Sequence, residues 1–166
     1  MTKEESKNIT AKKHDMSVRS MNFSRYLMIR YFSAVYLFAN LFWLIFSIYY
    51  HDFIAITFSG VLFVLVVIAS IEQASKWNTK DTNLKYTKSY FITQLILNIV
   101  FAVTCYTQIG KMLFPFMTNN DIANIILTIL IAGIAGALII LRRINNIEHG
   151  HDKYAKAIET FENNQQ

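Results

Sequence analysis

Four long runs without a single Asp, Glu, Lys or Arg constrain the fold of this chain more than any other feature. A helix of about twenty residues rises ~30 Å, which is the thickness of the hydrocarbon core of a bilayer. A soluble helix needs a polar face toward water, and these runs have none. The sequence therefore predicts an all-α membrane protein with four transmembrane helices. The runs cover residues 31–50, 53–71, 89–109 and 122–141.

The connections between the runs predict how the helices are arranged. Only His51 and Asp52 separate the first run from the second. One continuous helix over 31–71 would be ~60 Å long, twice the bilayer core, so the chain must reverse near this pair. The third and fourth runs are joined by the short segment 110–121, whereas 72–88 is a longer polar loop. We therefore expect two antiparallel helical hairpins.

The positive charges predict the orientation in the membrane. Of the sixteen Lys and Arg residues, all but Lys111 lie before residue 31, within 72–88 or after residue 141. Lys and Arg are enriched in cytoplasmic segments. Both termini and the 72–88 loop are therefore expected in the cytoplasm, and the protein is expected in the plasma membrane. The predicted parts are a basic N-terminal tail (1–30), a transmembrane domain (31–141) and a C-terminal tail (142–166).

Two polar stripes interrupt the apolar runs. The residues of each stripe recur at spacings that place them on one helix face. Because unpaired amides are costly in lipid, both stripes are expected to face the interior of the bundle. Asn40, Gln94 and Asn98 are the candidate binding residues if the stripes form a polar path or a small site. The alternative is interhelical hydrogen bonding, worth roughly 1 kcal/mol per bond. The stripes are Ser33, Asn40 and Ser47 in the first run, and Gln94, Asn98 and Cys105 in the third.

Small residues crowd the fourth run and form a candidate helix-packing face. Positions four apart stack on one side of a helix, and small side chains there let another helix approach closely. The neighbour can be another helix of the same chain or a helix of a second chain. The residues concerned are Ala132, Gly133, Gly136 and Ala137.

Several kinds of chemistry have no support in the sequence. Proton-coupled carriers usually need a charged residue inside a span. Glu72 is at the end of the second run, where we expect it to pair with a local Lys or Arg. The single cysteine excludes an intrachain disulfide. We read 148–152, with its two His and two carboxylates, as a polar linker rather than a metal site. No cofactor, metal or nucleic acid is therefore expected.

Segments outside the spans also give expectations. The basic and apolar residues of 16–30 favour a helix at the inner leaflet, and 152–163 favours a short amphipathic helix. Residues 112–117 are too short to span and are expected to dip into the outer interface. Asn120 or Asp121 is expected to cap the fourth helix.

The stretches IASIEQASKW (68–77) and LFPFMTNN (113–120), together with the layout of the spans, carry a resemblance. The chain resembles uncharacterised four-span membrane proteins of low-GC Gram-positive bacteria. This resemblance covers most of the chain and implies a bacterial four-helix membrane bundle.

The function predicted from these features is a small non-enzymatic membrane protein that acts through partners, as an accessory subunit or an immunity-type protein. Its expected partners are membrane lipids and a second membrane protein or another copy of itself. The alternative is a small transporter or channel component with a polar path at Asn40 and Asn98. An enzyme acting on lipids is a third hypothesis.

Overall fold

The computed structural model of this chain describes residues 3–76 and 83–149, with side chains at Met16, Ser20 and Ser24 and from Tyr26 onward. Every regular element in these ranges is a helix. Four helical segments are long and apolar enough to cross a membrane, which confirms the predicted number of spans and the all-α class. The helices are α1 (Lys3–Tyr49), α2 (Phe53–Ser75), α3 (Lys85–Thr104), α4 (Gln108–Leu113) and α5 (Asn120–Glu148).

Helix α1 is much longer than a membrane span. It runs for 47 residues without interruption, and its apolar part is Tyr26–Tyr49. The backbone over 16–30, predicted to be a helix at the inner leaflet, therefore belongs to the same helix as the first span. Helix α5 likewise continues past the predicted end of the fourth span at residue 141 and ends at Glu148.

The turn between α1 and α2 is tight, as the two-residue spacing predicts. His51 adopts a positive φ of 56°, which lets the chain leave α1 and begin α2 within a few residues. Asp52 then caps α2, because its Oδ1 accepts hydrogen bonds from the backbone N–H groups of Ile54 (3.0 Å) and Ala55 (3.3 Å). A side-chain cap of this kind satisfies amides that have no partner inside the helix.

Helix α3 ends at Thr104, before the predicted end of the third span at residue 109. The chain turns at Cys105, and the short helix α4 folds back toward the end of α3. A Cβ atom on Gly110 would lie 2.4 Å from the carbonyl oxygens of both Thr104 and Cys105. Only glycine can approach these carbonyls so closely, so Gly110 fixes the position of α4.

The end of α4 and the segment after it pack into the bundle. Leu113, Phe114 and Met117 are all buried, and the Leu113 carbonyl accepts a hydrogen bond from Trp43 Nε1 at 3.0 Å. The segment predicted to dip into the outer interface therefore contacts the protein core, where its apolar side chains fill space between the ends of the helices.

The cap of α5 lies one residue earlier than expected. Asn119 Oδ1 accepts a hydrogen bond from the Ile122 backbone N–H at 3.0 Å. The prediction of Asn120 or Asp121 as the cap is wrong, because both residues already belong to the first turn of α5. Asp121 still stands where a negative charge is favourable near a helix N-terminus.

Two clusters of buried apolar side chains hold the helices together. One contains Ile29, Phe91 and Ile144, near the end of the bundle that we call the Glu72 end. The other contains Leu62, Phe101 and Phe114, toward the opposite end with the α1–α2 turn, which we call the His51 end. The principal packing is of α1 on α2 and of α3 on α5.

The predicted C-terminal segments, 150–152 of the linker and the helix over 152–163, lie outside the described residues.

Candidate intramembrane binding site

Both polar stripes are buried inside the bundle, as the sequence predicts. Asn40 and Asn98 are each 4% exposed and Gln94 is 5% exposed. Burial of this degree obliges each amide to find partners among neighbouring groups. The remaining members, Ser33, Ser47 and Cys105, are also buried.

The amides of the two stripes meet in one network between α1 and α3. Asn40 Nδ2 donates to the Tyr36 carbonyl of its own helix at 2.9 Å, and it also lies 3.3 Å from Gln94 Oε1 and 3.1 Å from the Tyr90 hydroxyl. Tyr90 donates to the same Gln94 oxygen at 3.1 Å. Gln94 Nε2 in turn donates to Asn98 Oδ1 at 2.8 Å. We call this set, Asn40, Tyr90, Gln94 and Asn98, the amide network.

Helix α5 joins the network through its glycines. The Tyr36 hydroxyl donates a hydrogen bond to the Gly133 carbonyl. A Cβ atom on Gly133 would lie 2.6 Å from Asn98 Nδ2, and one on Gly136 would lie 3.1 Å from both Phe32 and Tyr36. Two of the four predicted packing residues therefore approach α1 and α3 of the same chain.

The other two packing residues differ from each other in position. Ala137 is fully buried, whereas Ala132 is exposed on the outer surface of α5. Of the four predicted packing residues, Gly133, Gly136 and Ala137 thus pack inside the monomer, and Ala132 lies at the surface.

A cavity of about 300 Å³ lies beside the amide network, between α1, α3 and α5. Asn40, Gln94 and Asn98 provide polar groups on its wall, and the rest of the wall is largely apolar or aromatic. Val35 and Ile129 line the cavity while being 65% and 60% exposed on the outer surface. The cavity therefore opens sideways between α1 and α5, toward the space that lipid occupies around a membrane protein.

Aromatic side chains close the cavity toward the His51 end. The rings of Trp43 and Phe114 are stacked with centroids 5.2 Å apart, and Phe101 meets Trp43 edge-on at 5.4 Å. All three residues line the cavity. The end of α4 and the segment after it thus supply part of this closure, through the Phe114 ring and through the Leu113 carbonyl that accepts the hydrogen bond of Trp43.

A second group of polar residues lies at the Glu72 end. The Glu72 carboxylate accepts hydrogen bonds from the backbone N–H groups of Tyr86 (3.3 Å) and Thr87 (2.7 Å). Gln73 Nε2 donates to Ser33 Oγ at 2.7 Å. Among the described residues Glu72 thus binds the start of α3, where a helix favours a negative charge, and not the Lys or Arg that the sequence suggested.

Three residues of the site were not singled out as candidates from the sequence. They are Tyr36 and Trp43 in α1 and Tyr90 in α3. A signal does exist for Tyr90, because it stands four residues before Gln94 and therefore on the same helix face. Tyr36 stands four residues before Asn40 in the same way.

Comparisons with known proteins assign no function to this site. No protein-family model matches the chain, and neither a curated protein nor a solved structure matches it.

Proposed function

We propose that this protein is a small non-enzymatic membrane protein that acts by binding, as an accessory subunit or an immunity-type protein does. We further propose that it binds a small molecule in the cavity between α1, α3 and α5. The observation that carries the proposal is an apolar cavity of about 300 Å³ with amides in its wall. Small-molecule sites in proteins have this character: mostly apolar walls and a few placed polar groups.

The residues in the cavity wall support binding over chemistry. None of the fifteen residues that line it is Asp, Glu, His, Lys, Arg, Ser or Cys. The one hydroxyl in the wall belongs to Tyr36, which donates to the Gly133 carbonyl. The wall therefore offers hydrogen-bonding amides but no nucleophile paired with a base, which covalent or acid–base catalysis would need.

The proposal includes an orientation. We place the Glu72 end in the cytoplasm, so that the helices form two antiparallel hairpins with both termini inside the cell. Arg30, which donates to the Gln73 carbonyl at 3.0 Å, and Lys88, which pairs with Glu148 at 2.5 Å, are both at this end. Positive residues at one end of a bundle favour the cytoplasmic side.

Two alanines of α5 provide a matched test of the cavity. Ala132 lines the cavity and Ala135 does not, and both are exposed on the same helix. The protein would be purified from its membranes in mild detergent, and the mass of any retained molecule measured by native mass spectrometry. We expect wild type and Ala135→Phe to retain a bound molecule that Ala132→Phe loses, because the added ring occupies the cavity. Equal retention by all three forms, or retention by none, contradicts the proposal.

A transporter or channel component is the second candidate, and one observation favours it. One face of α3 carries buried polar side chains, with Thr87 at the Glu72 end and Gln94 and Asn98 toward the middle of the bundle. This line stops at the aromatic closure around Phe114. A conducting path would therefore need the closure to open.

Removing part of the closure tests this candidate. In proteoliposomes, Phe114→Ala should raise the permeability to glycerol, a small uncharged polar solute, if the buried polar line conducts. Asn98→Leu added to that variant should return the permeability to its wild-type value. Glycerol permeability that is the same with and without Phe114→Ala would speak against transport through this line.

A further inference from the structure

The amide network has a direction that the hydrogen bonds themselves fix. The Tyr36 carbonyl can only accept, so the group of Asn40 that faces it at 2.9 Å is the Nδ2 donor. That donor also faces Gln94, which must therefore present Oε1 to it at 3.3 Å. The other end of the Gln94 amide is then Nε2, which donates to Asn98 Oδ1 at 2.8 Å. The orientation of all three amides follows from one backbone carbonyl.

This direction leaves one acceptor and one donor unused at the cavity. Within the part of the chain that the structure describes, Asn40 Oδ1 accepts no hydrogen bond and Asn98 Nδ2 donates none. Both residues are more than nine-tenths buried and both line the cavity. A buried amide group without a partner is unfavourable, more so in the absence of water. A molecule in the cavity that donates to Asn40 and accepts from Asn98 would satisfy both groups.

Charge and access narrow the identity of that molecule. Among the described residues that line the cavity none is charged, so an ionised headgroup would lie there without a counter-charge from them, at a high cost. The cavity opens to the outer surface of the bundle beside Val35 and Ile129, so its contents can enter from the bilayer. An apolar chain would remain in contact with lipid and with the aromatic wall.

From these groups we infer that the cavity binds an uncharged lipid whose small headgroup carries both a hydroxyl donor and a carbonyl acceptor. The inference rests on the proposed function and specifies its ligand. The hydroxyl donates to Asn40 Oδ1, the carbonyl oxygen accepts from Asn98 Nδ2, and the chains leave through the opening between α1 and α5. A neutral headgroup of this size moves toward the middle of the bilayer at far lower cost than a phosphate does.

Trp43 is a built-in reporter for this ligand, because its ring lines the cavity. The chain has two tryptophans, so Trp77→Phe leaves Trp43 as the only one. Full-length protein in phosphatidylcholine nanodiscs would be titrated with diacylglycerol that carries brominated chains, which quench nearby tryptophan. The matched lipids, with the same chains, are the 3-acetyl ester of that diacylglycerol, which lacks the donor, and phosphatidic acid, which adds charge.

We expect saturable quenching by diacylglycerol, with at least about fivefold weaker binding of the acetyl ester and of phosphatidic acid; fivefold corresponds to ~1 kcal/mol. Ala132→Phe should abolish the saturable component, and Ala135→Phe should leave it unchanged. Neither variant replaces a residue of the amide network. Asn40→Leu removes the acceptor of the headgroup hydroxyl, so it should make the affinities for diacylglycerol and its acetyl ester equal.

The outcomes separate the inference from the proposed function. Equal binding of diacylglycerol and its acetyl ester, with both blocked by Ala132→Phe, overturns the headgroup assignment and leaves a binding cavity. Tighter binding of phosphatidic acid overturns the assignment as well. Absence of saturable quenching by all three lipids overturns it too; the proposed function then stands only if native mass spectrometry shows a retained molecule that Ala132→Phe removes.

Discussion

Replacing Gly133 by alanine tests the contact between α5 and the amide network directly. The new methyl group would be placed 2.6 Å from Asn98 Nδ2, so Asn98 must move. Asn98 Oδ1 is held by Gln94 at 2.8 Å, and movement weakens that bond. Overpacking of a close contact costs ~1–3 kcal/mol. Alanine also favours the helix over glycine by ~0.5–1 kcal/mol, so the free energy of unfolding should fall by ~1 kcal/mol.

Gly60 in α2 provides the matched control. A Cβ atom there would lie 3.9 Å from the nearest side-chain atom, Leu44 Cδ1, which is an ordinary contact distance. Gly60→Ala therefore keeps the helix gain without the clash and should raise the free energy of unfolding by ~0.5–1 kcal/mol. The two variants carry the same chemical change, and they should differ by ~2 kcal/mol in stability.

The assay is reversible unfolding of each variant in lipid bicelles, with the oligomeric state measured in the same bicelles. The expected result is a lower stability of Gly133→Ala at an unchanged oligomeric state, because the contact is within one chain. If Gly133→Ala were as stable as Gly60→Ala, α5 would not approach Asn98 as described. If it changed the oligomeric state at unchanged stability, the small residues would face a second chain.

Three further predictions concern the ends of the bundle. Asp52→Ala should lower the free energy of unfolding by ~1 kcal/mol through loss of the α2 cap. Asp52→Asn keeps a capping oxygen and should retain the stability of the wild type. Equal losses of stability in the two variants would not fit capping. Glu72→Gln should destabilise the start of α3, because the charged carboxylate accepts a hydrogen bond from the Thr87 amide at 2.7 Å. The measurement is amide hydrogen exchange at Thr87, which should become faster. An unchanged exchange rate would count against this role of Glu72. In a Cys105→Ser background, Asn119→Cys should react with an impermeant thiol reagent in intact cells and Asp81→Cys should not, since the proposed orientation has 72–88 inside the cell. Labelling of Asp81→Cys would reverse the proposed orientation.

The sequence alone determined the membrane class and the number of spans. Both follow from the length of four uncharged runs, and this information is local: each run is long enough to cross a bilayer whatever its neighbours are. The burial of Asn40 and Asn98 is also set locally, since an amide in the middle of an apolar helix has no favourable place in lipid.

Local patterns were less decisive at the ends of helices. Asn119, Asn120 and Asp121 are all good N-cap residues by type, and the choice among them depends on where the preceding segment packs. The end of α3 at Thr104 was likewise not visible in hydropathy. It is set by the close approach of α4 at Gly110, a contact that an apolar run does not encode.

The tertiary structure alone decided which helices face one another. The sequence placed an amide on α1 and two on α3, but their meeting in one network, and the unused donor and acceptor that result, depend on the rotation of both helices about their axes. The inward position of Gly133 and Gly136 depends on the same rotations. A periodic pattern shows which residues share a face, but the partner of that face is chosen by packing between segments far apart in the chain.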